Sequence, residues 1–122
     1  MAIYHLSIKI FSRGKGRSAV AAAAYRSGAT IKSEHDGTVH DYSRKGGIVH
    51  TEILLPENAP SRYKDRAVLW NAVEKAERFV KAQLAREIEI ALPVELSMEQ
   101  NISLARRYAN EQFVKAGMCA DV

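Results

Sequence analysis

The sequence predicts an α+β sandwich, with helices on one face of a sheet whose other face is polar and open. Three observations predict it. Residues 2–10 and 86–92 alternate apolar and polar side chains with the period of a strand. Residues 65–83 and 97–116 carry apolar side chains at helical spacing. The elements follow one another as βα, β, α, β, α, β, and 122 residues make one domain with a core rather than two.

Each element has its own signal. In the first strand Tyr4, Leu6, Ile8 and Ile10 fall on one face, and Ile3, His5, Ser7 and Lys9 on the other. Arg13-Gly14-Lys15-Gly16-Arg17 reads as a mobile basic loop. Ser18 is an N-cap for a helix through Ala19–Tyr25, and Gly28 stops it. Residues 29–47 read as a loop or short hairpin, with turn signals at Asp36-Gly37 and Gly46-Gly47. Ile48 to Leu55 reads as a second strand, closed by Pro56, and 57–64 connect it onward. The helix over 65–83 is predicted to bury Val68, Leu69, Ala72, Val73, Ala76, Phe79 and Val80, with Trp70 beside that stripe. In the strand from Arg86 to Leu92, Ile88, Ile90 and Leu92 face one way, and Glu87 and Glu89 the other; Pro93 ends it. Ser97-Met98-Glu99-Gln100 is a capping box. It opens a helix with Ile102, Ala105, Ala109 and Phe113 inward and Gly117 as its stop. Met118 to Val122 starts one more strand, expected beside 86–92. His5, Ser7, Lys9, Glu87, Glu89 and Asp121 would then share the open polar face.

Composition narrows the function. Apolar residues make up 47% and charged residues 26%, ordinary for a soluble globular protein. No stretch approaches the roughly 20 apolar residues of a membrane span. The first ten residues alternate and have no basic head before an apolar core, so they are not read as a signal peptide. The single cysteine, Cys119, cannot form an internal disulfide. Together these lead to the expectation of a cytoplasmic protein. The net charge is +4, and residues 1–50 hold eight Lys or Arg against three acids. The positive excess lies in the first half, as on a face that meets phosphates or in a merely solvated basic loop.

Few residues are candidates for chemistry. Tyr25 ends an alanine-rich helix next to Arg26, and alanines 21–24 leave that helix with little bulk. A neighbour, or a strand of nucleic acid, can lie close against it. Read by itself, Tyr25 is first a tyrosine anchoring a small helix to the core, because buried tyrosines with a bonded hydroxyl are common. Arg13, Lys15 and Arg17 precede a helix N-terminus, where free N–H groups attract phosphate. Glu87 and Glu89 point to one strand face. They can orient a base, accept a phenol proton or support a metal, and acids at this spacing are equally ordinary on any wet strand face. His5, His35, His40 and His50 show no metal-ligand spacing. The sequence has no Ser-His-Asp set, no GxGxxG and no P-loop.

Several runs together are more specific. Met1-Ala2-Ile3-Tyr4-His5-Leu6, Ser18-Ala19 leading through alanines to Tyr25, Glu52-Ile53-Leu54-Leu55-Pro56, and Arg86-Glu87-Ile88-Glu89-Ile90-Ala91-Leu92-Pro93-Val94-Glu95-Leu96 resemble the MobA/MobL family of relaxases in order and spacing. The resemblance covers essentially the whole chain, 1–122, as the N-terminal portion of a single relaxase domain. It implies a ferredoxin-like or RRM-like HUH sheet with helices behind it. It implies an endonuclease that nicks one strand of DNA at a plasmid transfer origin, keeps the 5′ end on a tyrosine, and later rejoins the ends. By match of position Tyr25 is the nucleophile, and Glu87 and Glu89 are the strand acids near the centre. Lys9, Arg13, Lys15, Arg17 and Arg26 are the expected DNA contacts. The implied partners are single-stranded DNA at the origin and other relaxosome proteins, with no membrane.

The same resemblance implies a divalent cofactor, Mg or Mn. The family's histidine triad, a lone His followed by His-x-His, comes after the strand that begins at Met118, so no metal ligand is assigned within this sequence. A free tyrosine ionises near pH ~10 and is a weak nucleophile at pH 7, and the negative end of its helix opposes ionisation further. A cation at the phosphate offsets that charge. The chain by itself is therefore expected to be inactive. Two other readings remain: a module that only grips single-stranded DNA, and an adaptor that binds protein through the polar sheet face. Replacing Arg13, Lys15 and Arg17 with Ala is expected to flatten the slope of log K against log salt by as much as ~2, at ~0.7 per single-strand phosphate contact. Oligonucleotide titrations between low and moderate salt measure this, and an unchanged slope places those side chains in solvent.

Overall fold

Ser18 begins the first helix as the sequence predicts. In a computed structural model that describes residues 6–12, 18–77 and 83–122, its backbone is extended and its hydroxyl accepts from the Ala21 N–H. Helix α1 then runs over Ala19–Ser27 and ends at Gly28, whose φ of 68° is left-handed. A side chain there would also collide with Ile48, 2.6 Å from the position of a Cβ. Before α1, strand β1 covers Leu6–Ser12. The predicted start of that strand and the basic loop 13–17 lie outside the described residues.

Segment 29–47 resolves into the hairpin of its two alternatives. Strand β2, Thr30–Lys32, pairs antiparallel with β3, Val39–Asp41. The tip closes on itself: Gly37, at φ 75°, donates to the Ser33 carbonyl, and Asp36 accepts from the Thr38 N–H. The predicted strand over 48–55 shrinks to β4, Ile53–Leu54. Strands are stabilised in pairs, and the partner of β4 is equally short.

Asp65 caps helix α2, Arg66–Ala76, by accepting from the Ala67 and Val68 N–H groups. The expected buried stripe is corrected here. Val68 and Ala76 are exposed, whereas Asn71 and Glu74 are buried with Leu69. The side of α2 that meets α1 carries Asn71 and Glu74 beside Ala67 and Trp70, and each of the two buried polar groups has a backbone partner. Asn71 donates to the Lys32 and Ala67 carbonyls and accepts from the Glu34 N–H. Glu74 accepts from the Ser18 hydroxyl at 2.9 Å and the Val20 N–H at 3.2 Å. Phe79 and Val80 lie outside the described residues. Val20, Ala23, Ala24 and Ile31 form the core, with Tyr42, Ala67 and Trp70 packed against them.

Strand β5, Gln83–Ile90, pairs antiparallel with β1, placing Ser7 opposite Glu89 and Lys9 opposite Glu87. Leu6 is opposite Ile90 and Ile8 opposite Ile88 on the other face. That apolar face was expected to lie under helices, yet Leu6 and Ile8 are 59% and 60% exposed. The capping box forms as predicted, with Ser97 and Gln100 reciprocally bonded. Helix α3, Met98–Ala109, continues as a wider π-type turn over Asn110–Val114, and Gly117 follows at φ 95°. Ile102, Ala105, Ala109 and Phe113 lie on its covered side as expected.

The last strand, β6 (Ala120–Asp121), does not lie beside 86–92. It pairs antiparallel with β4, and Glu52 and Val122 exchange backbone hydrogen bonds just beyond. Asp121 explains the choice. Its carboxylate takes a bidentate pair from Arg66 at 2.7 and 2.8 Å and the Trp70 indole N–H at 2.8 Å. It therefore belongs to α2 and leaves the face where the sequence had placed it with Glu87 and Glu89. The described strands form three two-stranded antiparallel ladders, β1–β5, β2–β3 and β4–β6, in a mixed helix-and-strand fold. No helix among the described residues is long and apolar enough to cross a membrane.

Glu74→Ala leaves two donors at the start of α1 without their acceptor. It is expected to lower the free energy of unfolding by about 2–3 kcal/mol. Glu74→Gln, which keeps an acceptor oxygen, is expected to cost less. Urea midpoints of the two variants decide this, and equal, unshifted midpoints contradict it.

Candidate active site

Tyr25 sits in the last turn of α1, one residue before Arg26, with 44% of its surface exposed. Among the described residues no group engages its hydroxyl. The alanine face of α1 borders a shallow concavity of about 310 Å³. Its walls are Ser18, Ala21, Ala22, Tyr25 and Arg26 on α1, with Phe11 of β1 and Glu87 of β5 across from them. The small side chains do what their sizes suggest, leaving an open trough along the helix.

Charge surrounds the ring. The Arg26 guanidinium pairs with Glu87 at 2.6 Å and lies 5.3 Å from the Tyr25 ring centroid. The Lys45 ammonium lies 3.5 Å from the same centroid and donates to the Tyr25 carbonyl at 2.8 Å. Tyr42 packs perpendicular to Tyr25, centroids 5.3 Å apart. Tyr42 and Lys45 come from the segment after β3. That segment is fixed by the Tyr42 N–H on the Ala29 carbonyl and the Lys45 N–H on the Tyr42 carbonyl. Asp41, next to Tyr42, accepts from the Thr30 and Ser43 hydroxyls and the Ser43 N–H. The Ser43 bonds first, then Thr30, hold its carboxyl down at about 2.

The structure thus brings together Tyr25, Arg26 and Glu87. Lys9 stands across the ladder from Glu87, and Glu89 is exposed two residues further along. Arg13, Lys15 and Arg17 lie outside the described residues. One expectation attached to them is corrected: the N-terminus of α1 was to attract a phosphate, and the Glu74 carboxyl occupies it instead. Lys45, Tyr42 and Glu74 were missed. The pair Arg44-Lys45 ahead of Gly46-Gly47 was the available signal for the first. Among the described residues no three His, Cys, Asp or Glu side chains converge as a metal would require. His50 instead bonds Glu52, whose carboxyl is held below its ordinary value chiefly by its bond from Arg106. The described residues therefore do not fit a divalent-metal site.

Comparison with known proteins bears on what such a trough is for. The model of the MobA/MobL family matches residues 17–122. The chain belongs to the MobA/MobL family. Mobilization protein MobL of Acidithiobacillus ferridurans is 52% identical over the whole chain, which spans 32% of that protein. Conjugal transfer protein TraA of Rhizobium radiobacter is 47% identical over 99% of the chain, which spans 12% of it. A solved structure described as the molecular basis of vancomycin resistance transfer in Staphylococcus aureus superposes with a TM-score of 0.92 at 41% identity. It covers 98% of this chain, and this chain covers 61% of it. The chain thus spans about a third or less of the length of these two relatives.

The segment that carries Tyr42 and Lys45 depends on Asp41. Because its carboxyl is lower in the folded protein, the stabilisation is full above the ordinary value near 3.8 and is lost as pH falls through about 2. Asp41→Asn is expected to remove that pH dependence and speed exchange of the Ser43 amide proton at neutral pH. Amide exchange and Ser43 shifts followed from pH 5 to pH 1.5 test this; a wild-type profile in the variant rules Asp41 out.

Proposed function

We propose that this chain carries the nucleophile of a mobilisation relaxase, with Tyr25 attacking a scissile phosphate in single-stranded DNA at a plasmid transfer origin. The single observation that carries the reading is an exposed tyrosine, its hydroxyl free among the described residues, beside an open trough walled by alanines and flanked by cations. Membership of the family and the names of its mobilisation and conjugal-transfer relatives support the choice of substrate.

In this reaction the phenolic oxygen of Tyr25 forms a bond to phosphorus, and the bond from phosphorus to the 3′ oxygen breaks. The phenol proton passes to water with attack, and the departing 3′ oxygen takes one up from water, so one phosphodiester replaces another and the exchange is reversible. The 5′ end stays on Tyr25 until a 3′ hydroxyl attacks it and restores the strand. Ala21 and Ala22 let the backbone of the DNA approach α1. Arg26, half exposed and steadied by Glu87, stands where charge gathers on the phosphate. Glu87 and Glu89 act through this neighbourhood rather than on phosphorus. Lys9 and, from the sequence, Arg13, Lys15 and Arg17 are the proposed phosphate contacts along the strand. The divalent ion implied by the resemblance finds no ligand set among the described residues, and no part of the step is assigned to it.

Tyr25→Phe in the full-length gene product is expected to abolish a denaturant-resistant protein–DNA adduct on an origin oligonucleotide with Mn²⁺. Oligonucleotide affinity should change by less than about two-fold, since the hydroxyl acts in the transition state. The 122-residue chain alone is expected to give no adduct under the same conditions. An adduct formed normally by the Phe variant overturns the assignment. Binding without an adduct in either full-length protein turns the reading toward a gripping module.

A further inference from the structure

We propose that Lys45 is a positioning residue for Tyr25, a role that rests on the reading of Tyr25 as nucleophile. Twenty residues separate the two in sequence, yet one ammonium meets the tyrosine twice, at its carbonyl (2.8 Å) and over its ring (3.5 Å to the centroid). Tyr25 lies at the end of α1, where carbonyls have no partner within the helix and the dipole leaves partial negative charge. A lysine reaching in from elsewhere satisfies one such carbonyl and brings positive charge to that end.

The second contact acts on the side chain. An exposed tyrosine in a last helical turn hops between rotamers. Here the ring is held on one face by Lys45 and packed perpendicular against Tyr42. Both partners belong to one short turn, closed by the Lys45 N–H on the Tyr42 carbonyl and by Asp41 on Ser43. Lys45 is half-buried, whereas its neighbour Arg44 is exposed. Arg44 is placed to meet solvent or a ligand; Lys45 is spent on Tyr25. Misplacing a reacting group by about 1 Å costs on the order of 10²-fold in rate, so holding the ring matters most to the chemical step.

The test compares Lys45→Met and Lys45→Arg in the full-length gene product, using an origin oligonucleotide and Mn²⁺. Lys45→Met is expected to lower the single-turnover rate of adduct formation by roughly 10- to 100-fold with oligonucleotide affinity changed by less than about two-fold. Lys45→Arg keeps a donor for the carbonyl and a cation for the ring, and is expected to recover most of the rate. A readout independent of activity is the Tyr25 ring: three-bond couplings should report a fixed χ1 in wild type and averaging in Lys45→Met, with circular dichroism unchanged. A wild-type rate in Lys45→Met overturns the proposal. So does a loss of affinity with a salt slope flattened by about 0.7, which makes Lys45 a phosphate contact. Should Lys45→Met fail to fold, the rate and couplings of Lys45→Gln, which keeps a donor but no charge, decide the same question. An adduct that survives Tyr25→Phe sinks the nucleophile reading separately, while the couplings still judge the contact.

Discussion

The position of Tyr25 is set at the opposite end of its helix. Ser18 and Val20 present donors at the start of α1, and the acceptor both use is Glu74, more than fifty residues later in the chain. Helix N-termini carry unsatisfied N–H groups and partial positive charge, so a buried carboxyl placed there satisfies donors and is itself stabilised. One contact therefore fixes α1 along its axis against α2. The same face of α2 holds the hairpin through Asn71, which bonds both Lys32 and Glu34. Helix, helix and hairpin are joined by directional polar bonds around a core of small residues, Val20, Ala23, Ala24 and Ile31.

This matters because α1 is thin. A helix of alanines buries little apolar area, on the order of 25 cal/mol per Å² removed from water, and cannot be located by bulky knobs alone. Polar pins do what large side chains do elsewhere, and they do it without filling the trough in front of Tyr25. At the far end Gly28 turns the chain sharply enough for Ala29 to receive Tyr42, which returns the hairpin to the helix end it started from. The two ends of α1 are thus held by different parts of the chain, Glu74 at one and the Tyr42–Lys45 turn at the other.

Much of the local plan was legible in the sequence. Ser18, Gly28, Ser97 with Gln100, and Gly117 bound their helices because caps depend on neighbouring residues only. The β1 and β5 alternation was legible too, since period two survives whatever lies on either side. Tyr25 was singled out, but its role rested on resemblance, because a lone tyrosine on a small helix fits a core anchor as well. What escaped has a common cause. Periodicity placed Leu69 inside, but it overextended the stripe to Val68 and Ala76 and could not add Asn71 and Glu74, which only tertiary partners make buriable. Asp121 sits in a strand whose alternation says nothing about which strand it joins, and Arg66 with Trp70 decided it. Lys45 belongs to a turn with no periodicity at all, and its contact exists only once the hairpin has folded back.

The openness of the trough is itself informative about the kind of substrate. Sites for small molecules enclose most of the ligand, because a small ligand has only its own surface with which to bind. Among the described residues, the concavity of about 310 Å³ bordered by alanines is open to solvent and encloses little. A polymer needs no enclosure, since phosphates along its length contribute binding energy far from the reacting centre, and that remote energy can be used to hold one phosphate at the nucleophile. On the proposed reading of Tyr25 as nucleophile, the centre has two tasks, to admit a backbone closely and to keep that tyrosine still. The alanines of α1 serve the first. The second falls to residues that touch Tyr25 without lining the trough, and Lys45 and Tyr42, which contact its ring from the turn after β3, meet that condition.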